Sequence, residues 1–154
     1  MINRFDRFTS SVSSIMQSIS RIKKTEMQRY GLRSGHVDCL RLLNEHPKGL
    51  TSRALSELSD MDKAALSRYM DQLEEVGFAY IDEDEDKKYK RRWVLSERGM
   101  ETAKDVDRKI ELAVSAVGDF LSDEERESLY RMLEQIDTNL KKQFNASQGE
   151  ENEA

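Results

Sequence analysis

Phe5, Phe8, Val12, Ile15, Ile19 and Ile22 follow one another at spacings of three and four. That period predicts a long amphipathic helix with a narrow apolar seam. The residues between are mostly Ser, Thr, Arg, Lys and Gln, so the stripe is thin, and on so long a helix it reads as a helix–helix interface. Gly31 breaks the pattern as a C-cap, and Ser34 is the expected N-cap of a second helix bearing Val37, Leu40 and Leu43. That helix stops before Pro47. Thr51 or Ser52 then caps a short helix bearing Leu55 and Leu58. Asp60 and Asp62 are candidate caps of a longer one, with Leu66, Met70, Leu73 and Val76 inward and Gly77 just past its end.

Residues 78–81 have strand composition, as do residues 89–95, and the charged run between them makes a hairpin. Ser96 caps a helix with a second three-and-four seam: Ala103, Val106, Ile110, Ala113, Val117 and Phe120. Gly118 falls inside that run. Ser122 and Glu125 have capping-box spacing and open a last helix with Leu129, Met132, Leu133, Ile136, Leu140 and Phe144.

The order predicts a mainly α fold with a small two-stranded β wing. It reads as one unit over residues 1–154: a winged helix-turn-helix lobe over 31–99, flanking helices over 1–30 and 100–145, and a disordered acidic tail over 146–154. The outer seams are too exposed for one small domain to bury. They predict a homodimer whose interface includes Phe5, Phe8, Val12, Ile15, Val117, Leu129, Leu133, Ile136 and Leu140.

The chemistry concentrates in residues 49–99. A short helix, a tight turn and a helix ending in Gly is helix-turn-helix order, and the hairpin after it is the wing. With Leu66, Met70 and Leu73 turned inward, Lys63, Ala64, Ser67 and Arg68 share the opposite face. Arg can bond guanine in bidentate fashion, Ser can bond a base or phosphate, and Ala can approach closely or touch a thymine methyl. The positive end of that helix favours phosphate, with Thr51 and Arg53 flanking the DNA backbone. In the hairpin, Lys87, Lys88, Lys90, Arg91 and Arg92 can reach phosphates or a minor groove, the tip lysines first. Trp93 reads as packing at the wing base.

Composition changes this picture in one respect. The 154 residues carry a net charge of -5, which by itself argues against nucleic acid. The charges are segregated, however: residues 82–86 are all acidic, and five of residues 87–92 are Lys or Arg. The single Cys rules out a disulfide framework within the chain. Cys39 reads as a small buried hydrophobe, with a redox thiol or a metal pair with His36 as the sharper alternatives. His36 is also a candidate for lining a ligand pocket near the junction of the first two helices. The opening residues lack the apolar run of a signal peptide, and no stretch is apolar enough for a membrane span, so the expected compartment is the cytoplasm.

The run 49–55, residues 62–68 and residues 73–78 resemble the MarR family (multiple antibiotic resistance regulators). Leu95-Ser96-Glu97-Arg98-Gly99 resembles that family's Leu-Thr-x-x-Gly signature after the wing. The resemblance implies a homodimeric winged-helix regulator binding a pseudo-palindromic operator in double-stranded DNA as a repressor, with a small-molecule effector that releases it. It puts Lys63, Ala64, Ser67 and Arg68 at recognition-helix positions. The family's wing carries Asp-x-Arg, where this chain has Asp86-Lys87-Lys88, and a lysine is a point charge, not a planar fork. The weakened wing and acidic balance motivate a second function, a protein-interaction adapter or antirepressor without DNA binding. No nucleophile–base set, phosphate-binding glycine loop or metal cluster is visible, so no enzyme and no cofactor is expected.

Overall fold

A computed structural model of the chain describes residues 3–82 and 91–151, apart from the side chains of Phe5 and of residues 148–151. The elements are α1 (Arg4–Gln28), α2 (Gly35–Glu45), α3 (Ser52–Ser59), α4 (Lys63–Glu75), β1 (Ala79–Asp82), β2 (Arg92–Leu95), α5 (Glu97–Val117) and α6 (Asp123–Glu151). This is the mainly helical architecture with a two-stranded wing that the pattern predicts. Residues up to Leu112 form one compact unit, and residues from Ala113 form another.

In the first unit, two helices end alike. The Gly77 N–H bonds the Glu74 carbonyl at 2.9 Å, and the Phe78 N–H reaches back to the Leu73 carbonyl at 2.8 Å. This closure needs a residue in the left-handed region, and Gly77 has φ +77°. Leu73 and Phe78, the pair the motif brings together, are both fully buried. Gly31 closes α1 in the same way, with Leu32 bonded to the Met27 carbonyl. Helix starts are also fixed locally. Thr51 Oγ1 accepts the Ala54 N–H at 3.2 Å, Asp62 Oδ1 accepts the Ala65 N–H at 2.8 Å, and Ser96 Oγ accepts the Gly99 N–H at 3.0 Å. Ser34 is the exception. Its backbone is already helical and its side chain caps nothing in α2. The His36 ring bonds outside the helix, with Nδ1 accepting the Arg33 N–H at 2.9 Å.

The core joins Val37, Leu40 and Leu43 of α2, Leu55 of α3, Leu66, Met70 and Leu73 of α4, and Phe78 after it. It extends past residues 31–99 to Met27 of α1 and to Ala103 and Val106 of α5. Of the two leucines on the short α3, Leu55 is buried and Leu58 is exposed. β1 and β2 pair antiparallel from Ala79↔Leu95 to Asp82↔Arg92. Leu50 adds a bridge to Trp93, with N–H···O bonds of 3.0 and 2.8 Å, which the sequence reading did not foresee. Ion pairs bind the helices of this unit to each other: Lys23–Asp38 at 2.6 Å, Arg29–Asp105 at 2.9 Å, Arg41–Asp107 at 2.8 Å and Lys109–Glu26 at 3.1 Å. Lys109, Arg29 and Arg108, in that order, hold the Asp105 carboxyl well below the usual carboxylate range.

The outer seams remain open. On α1, Phe8, Val12 and Ile15 are exposed, while Ile19 and Ile22 are half-buried. In the second unit, Val117 ends α5 at 69 % exposure. Ser122 and Glu125 form the predicted capping box, each accepting the other's N–H, and α6 carries Leu129, Leu133 and Leu140 exposed and Ile136 half-buried. The helix runs on to Glu151, so residues 146–151 are helical where the composition predicted a disordered tail.

Candidate nucleic-acid interface

α4 is held by one side and open on the other. Leu66, Met70 and Leu73 are at most 2 % exposed, whereas Lys63, Ala64, Ser67 and Arg68 are all exposed. Asp62 fixes where the helix starts, and so where these four side chains fall. Its carboxylate also partly neutralises the positive helix end, so the attraction for phosphate expected there comes from the side chains more than from the helix dipole. Arg68 does not pair with Asp62 or Asp71, and among the described residues neither it nor Lys63 makes an ion pair. Two cations without local partners beside a serine and an alanine form a surface suited to base edges and phosphates.

α3 lies alongside. Arg53 projects into solvent and pairs with Glu57 at 2.9 Å, an exposed contact that a phosphate can replace. Thr51 is half-buried, and its hydroxyl oxygen serves the α3 cap. A cleft of about 230 Å³ runs between Arg53, Lys63, Ser67 and the buried Trp93. Trp93 packs the wing base as read, and its indole N–H donates to Ser52 Oγ at 3.2 Å.

The wing divides the predicted cations. Lys87, Lys88 and Lys90 lie outside the described residues. Arg91 is exposed just before β2. Arg92, also read as able to reach phosphate, is half-buried and donates to the Gly49 carbonyl at 2.9 Å, so it anchors β2 to the turn before α3. The Leu50 bridge and this Arg92 bond escaped the sequence reading; the one signal was an apolar Leu50 directly before a helix cap.

The remaining candidates are structural. Cys39 is buried, and burial, with the Asp38 charge adding, pushes its thiol up to about 12. His36 is fully buried and hydrogen-bonded on both nitrogens, so it lines no open pocket. Among the described residues, no three His, Cys, Asp or Glu side chains could hold a metal, and no helix is long and apolar enough to cross a membrane.

Residues 37–83 match the model of the IclR helix-turn-helix domain. The comparison with curated protein sequences finds no match. Solved structures share the fold over nearly the whole chain. The MarR protein from Peptoclostridium difficile superposes with a TM-score of 0.80 at 19% identity, covering 93% of this chain and 94% of its own. A MarR transcriptional regulator from Methanosarcina mazei Go1 gives 0.78 at 20% identity, with 92% and 94% covered. A MarR-family protein from Listeria monocytogenes, solved with a 26mer DNA, gives 0.75 at 18% identity, with 86% and 87% covered. The chain thus has the winged-helix fold of the MarR regulators, with a helix-turn-helix segment that also fits the IclR pattern.

Proposed function

We propose that this chain is a sequence-specific DNA-binding transcriptional regulator of the MarR type. It acts as a homodimer on a pseudo-palindromic operator, as a repressor that a small-molecule effector releases. The observation that carries the reading is the two-faced α4: a fully packed inner side, and an outer side with Lys63, Ala64, Ser67 and Arg68 exposed at its first two turns. The Listeria protein crystallised with DNA has the same fold, which adds support. The open apolar positions of α1 and of α6 supply the surface for a second copy. Two recognition helices on one DNA face then stand about 34–36 Å apart, or a multiple. An effector that prefers another spacing weakens operator binding by its differential affinity for the two states.

The test is capture of genomic fragments by the purified protein, with Arg68→Ala as control. Enrichment of a few palindromic sites by the wild type alone supports the reading. Equal recovery by both proteins at low and moderate salt contradicts it and favours the adapter function.

A further inference from the structure

The start of α2 lies against the middle of α4. A Cβ added to Gly35 would stand 2.7 Å from the Tyr69 ring, which would have to shift to admit it. His36, the next residue, is fully buried. Its ring meets Tyr69 edge-on with centroids 4.6 Å apart, and its Nε2 lies 2.9 Å from Gln72 Oε1. Because Nδ1 accepts the Arg33 N–H, the hydrogen-bond network assigns the ring proton to Nε2, which donates to Gln72. Tyr69 and Gln72 follow Arg68 by one and four residues, so the two contacts hold α4 beside its outward cation.

We infer that His36 is a positioning residue for α4: neutral, it latches the helix through Gln72 and Tyr69, and protonated it lets the helix go, so that DNA binding weakens on acidification. The DNA consequence rests on the reading proposed above; the latch itself does not.

The surroundings favour this. From the turn before α2 the charged neighbour is the Arg33 guanidinium, which repels an imidazolium. From α4 the ring faces the Tyr69 phenol and the uncharged Gln72. On α2 itself, Asp38 is already bound to Lys23 of α1 at 2.6 Å. Burial lowers the His36 pKa below the usual 6.5, against the bonds to the Arg33 backbone and Gln72. A proton on Nδ1 would also leave the Arg33 N–H without its acceptor, although the Arg33 carbonyl, 3.0 Å away, could take the new N–H. Among the described residues no carboxylate bonds the ring, so a buried charge there is relieved when the ring moves toward water, and both α4 contacts go with it.

The chain has two histidines, His36 and His46, so His36→Gln assigns the ring signals. The full-length protein is titrated by NMR from pH about 7.5 to about 5, and its affinity for an enriched DNA fragment is followed by fluorescence anisotropy. The latch predicts a His36 midpoint below the usual 6.5, with the Tyr69 and Gln72 amides moving at that midpoint. It also predicts that acidification weakens wild-type binding about fivefold or more beyond any change in His36→Gln. Amides of α4 that ignore the His36 titration would overturn the latch, as would equal pH dependence in the two proteins. Absence of DNA binding at the higher pH would sink the DNA reading, while the amide titration still decides the latch. If His36→Gln does not fold, Gln72→Met replaces it, with weaker binding and a flatter pH profile expected; a profile as steep as wild type's would overturn the proposal.

Discussion

α4 and α6 carry apolar residues at the same three-and-four spacing and meet opposite fates. In α4, Leu66, Met70 and Leu73 are at most 2 % exposed. In α6, Leu129, Leu133 and Leu140 are 38%, 43% and 59% exposed. The polar sides differ only in part. α6 pairs some charges along its own surface, as in Arg126–Asp123 and Lys141–Asp137, while its Arg131 and Lys142 make no ion pair among the described residues. Lys63 and Arg68 of α4 have no such partner among the described residues. Periodicity therefore tells that a seam exists, whereas its cover depends on what the rest of the chain brings to it. A helix with a satisfied inner side and unsatisfied outer cations is built to present them. A helix with an open apolar seam is built to be covered.

The largest effect that would sharpen this contrast is expected in the first unit. Phe78→Ala empties a fully buried site where α4 closes, and a loss of about 3–5 kcal/mol in thermal unfolding is expected. The corresponding change in α6, Leu133→Glu with Leu140→Glu, should leave the unfolding of the first unit in place. Sedimentation is expected to show a dimer for the wild type and a monomer for the double variant; a dimer surviving both charges would break the comparison. Arg68→Ala should keep the wild-type melting temperature and weaken DNA binding by about 1–3 kcal/mol, roughly 10- to 100-fold, as read by anisotropy.

Smaller effects come from buried groups. The folded-state pKa of His36 lies below its unfolded value of 6.5, so the unfolded chain takes up the proton first as pH falls. Its stabilising share is complete above that value and shrinks below it, until the folded protein is protonated too. Thermal melts should record a loss on acidification that His36→Gln lacks. Cys39, with its thiol pushed up to about 12, should react with a thiol reagent only as fast as the first unit opens.

Much of this was legible because local rules sufficed. Gly31, Gly77, Asp62, Ser96 and the Ser122–Glu125 box are read from neighbours in the chain, and the structure uses each as expected. The exposed face of α4 followed from spacing alone, since the helix is long enough for its inner residues to fix its outer ones. What failed depended on distant partners. Ser34 looked like a cap, but its backbone is already helical and its hydroxyl accepts from Ser20 Oγ of α1 at 3.5 Å instead. Arg92 looked like a phosphate ligand, but the Gly49 carbonyl, 43 residues away, holds it. His36 looked like a pocket residue, and nothing near it in sequence announced Tyr69 or Gln72. One difference was local: the polar run after Phe144 looked like a disordered tail, and α6 continues through it to Glu151.

The central claim is that the first two turns of α4 enter a major groove twice per dimer. It is tested most directly by Ser67→Cys carrying a tethered iron–EDTA cleaver, since the buried, protonated Cys39 leaves residue 67 as the one accessible attachment point. On an enriched fragment, cleavage is predicted in two clusters about 34–36 Å apart along the duplex, or a multiple of that. Cleavage spread evenly over the fragment, or none above the free reagent, would contradict it.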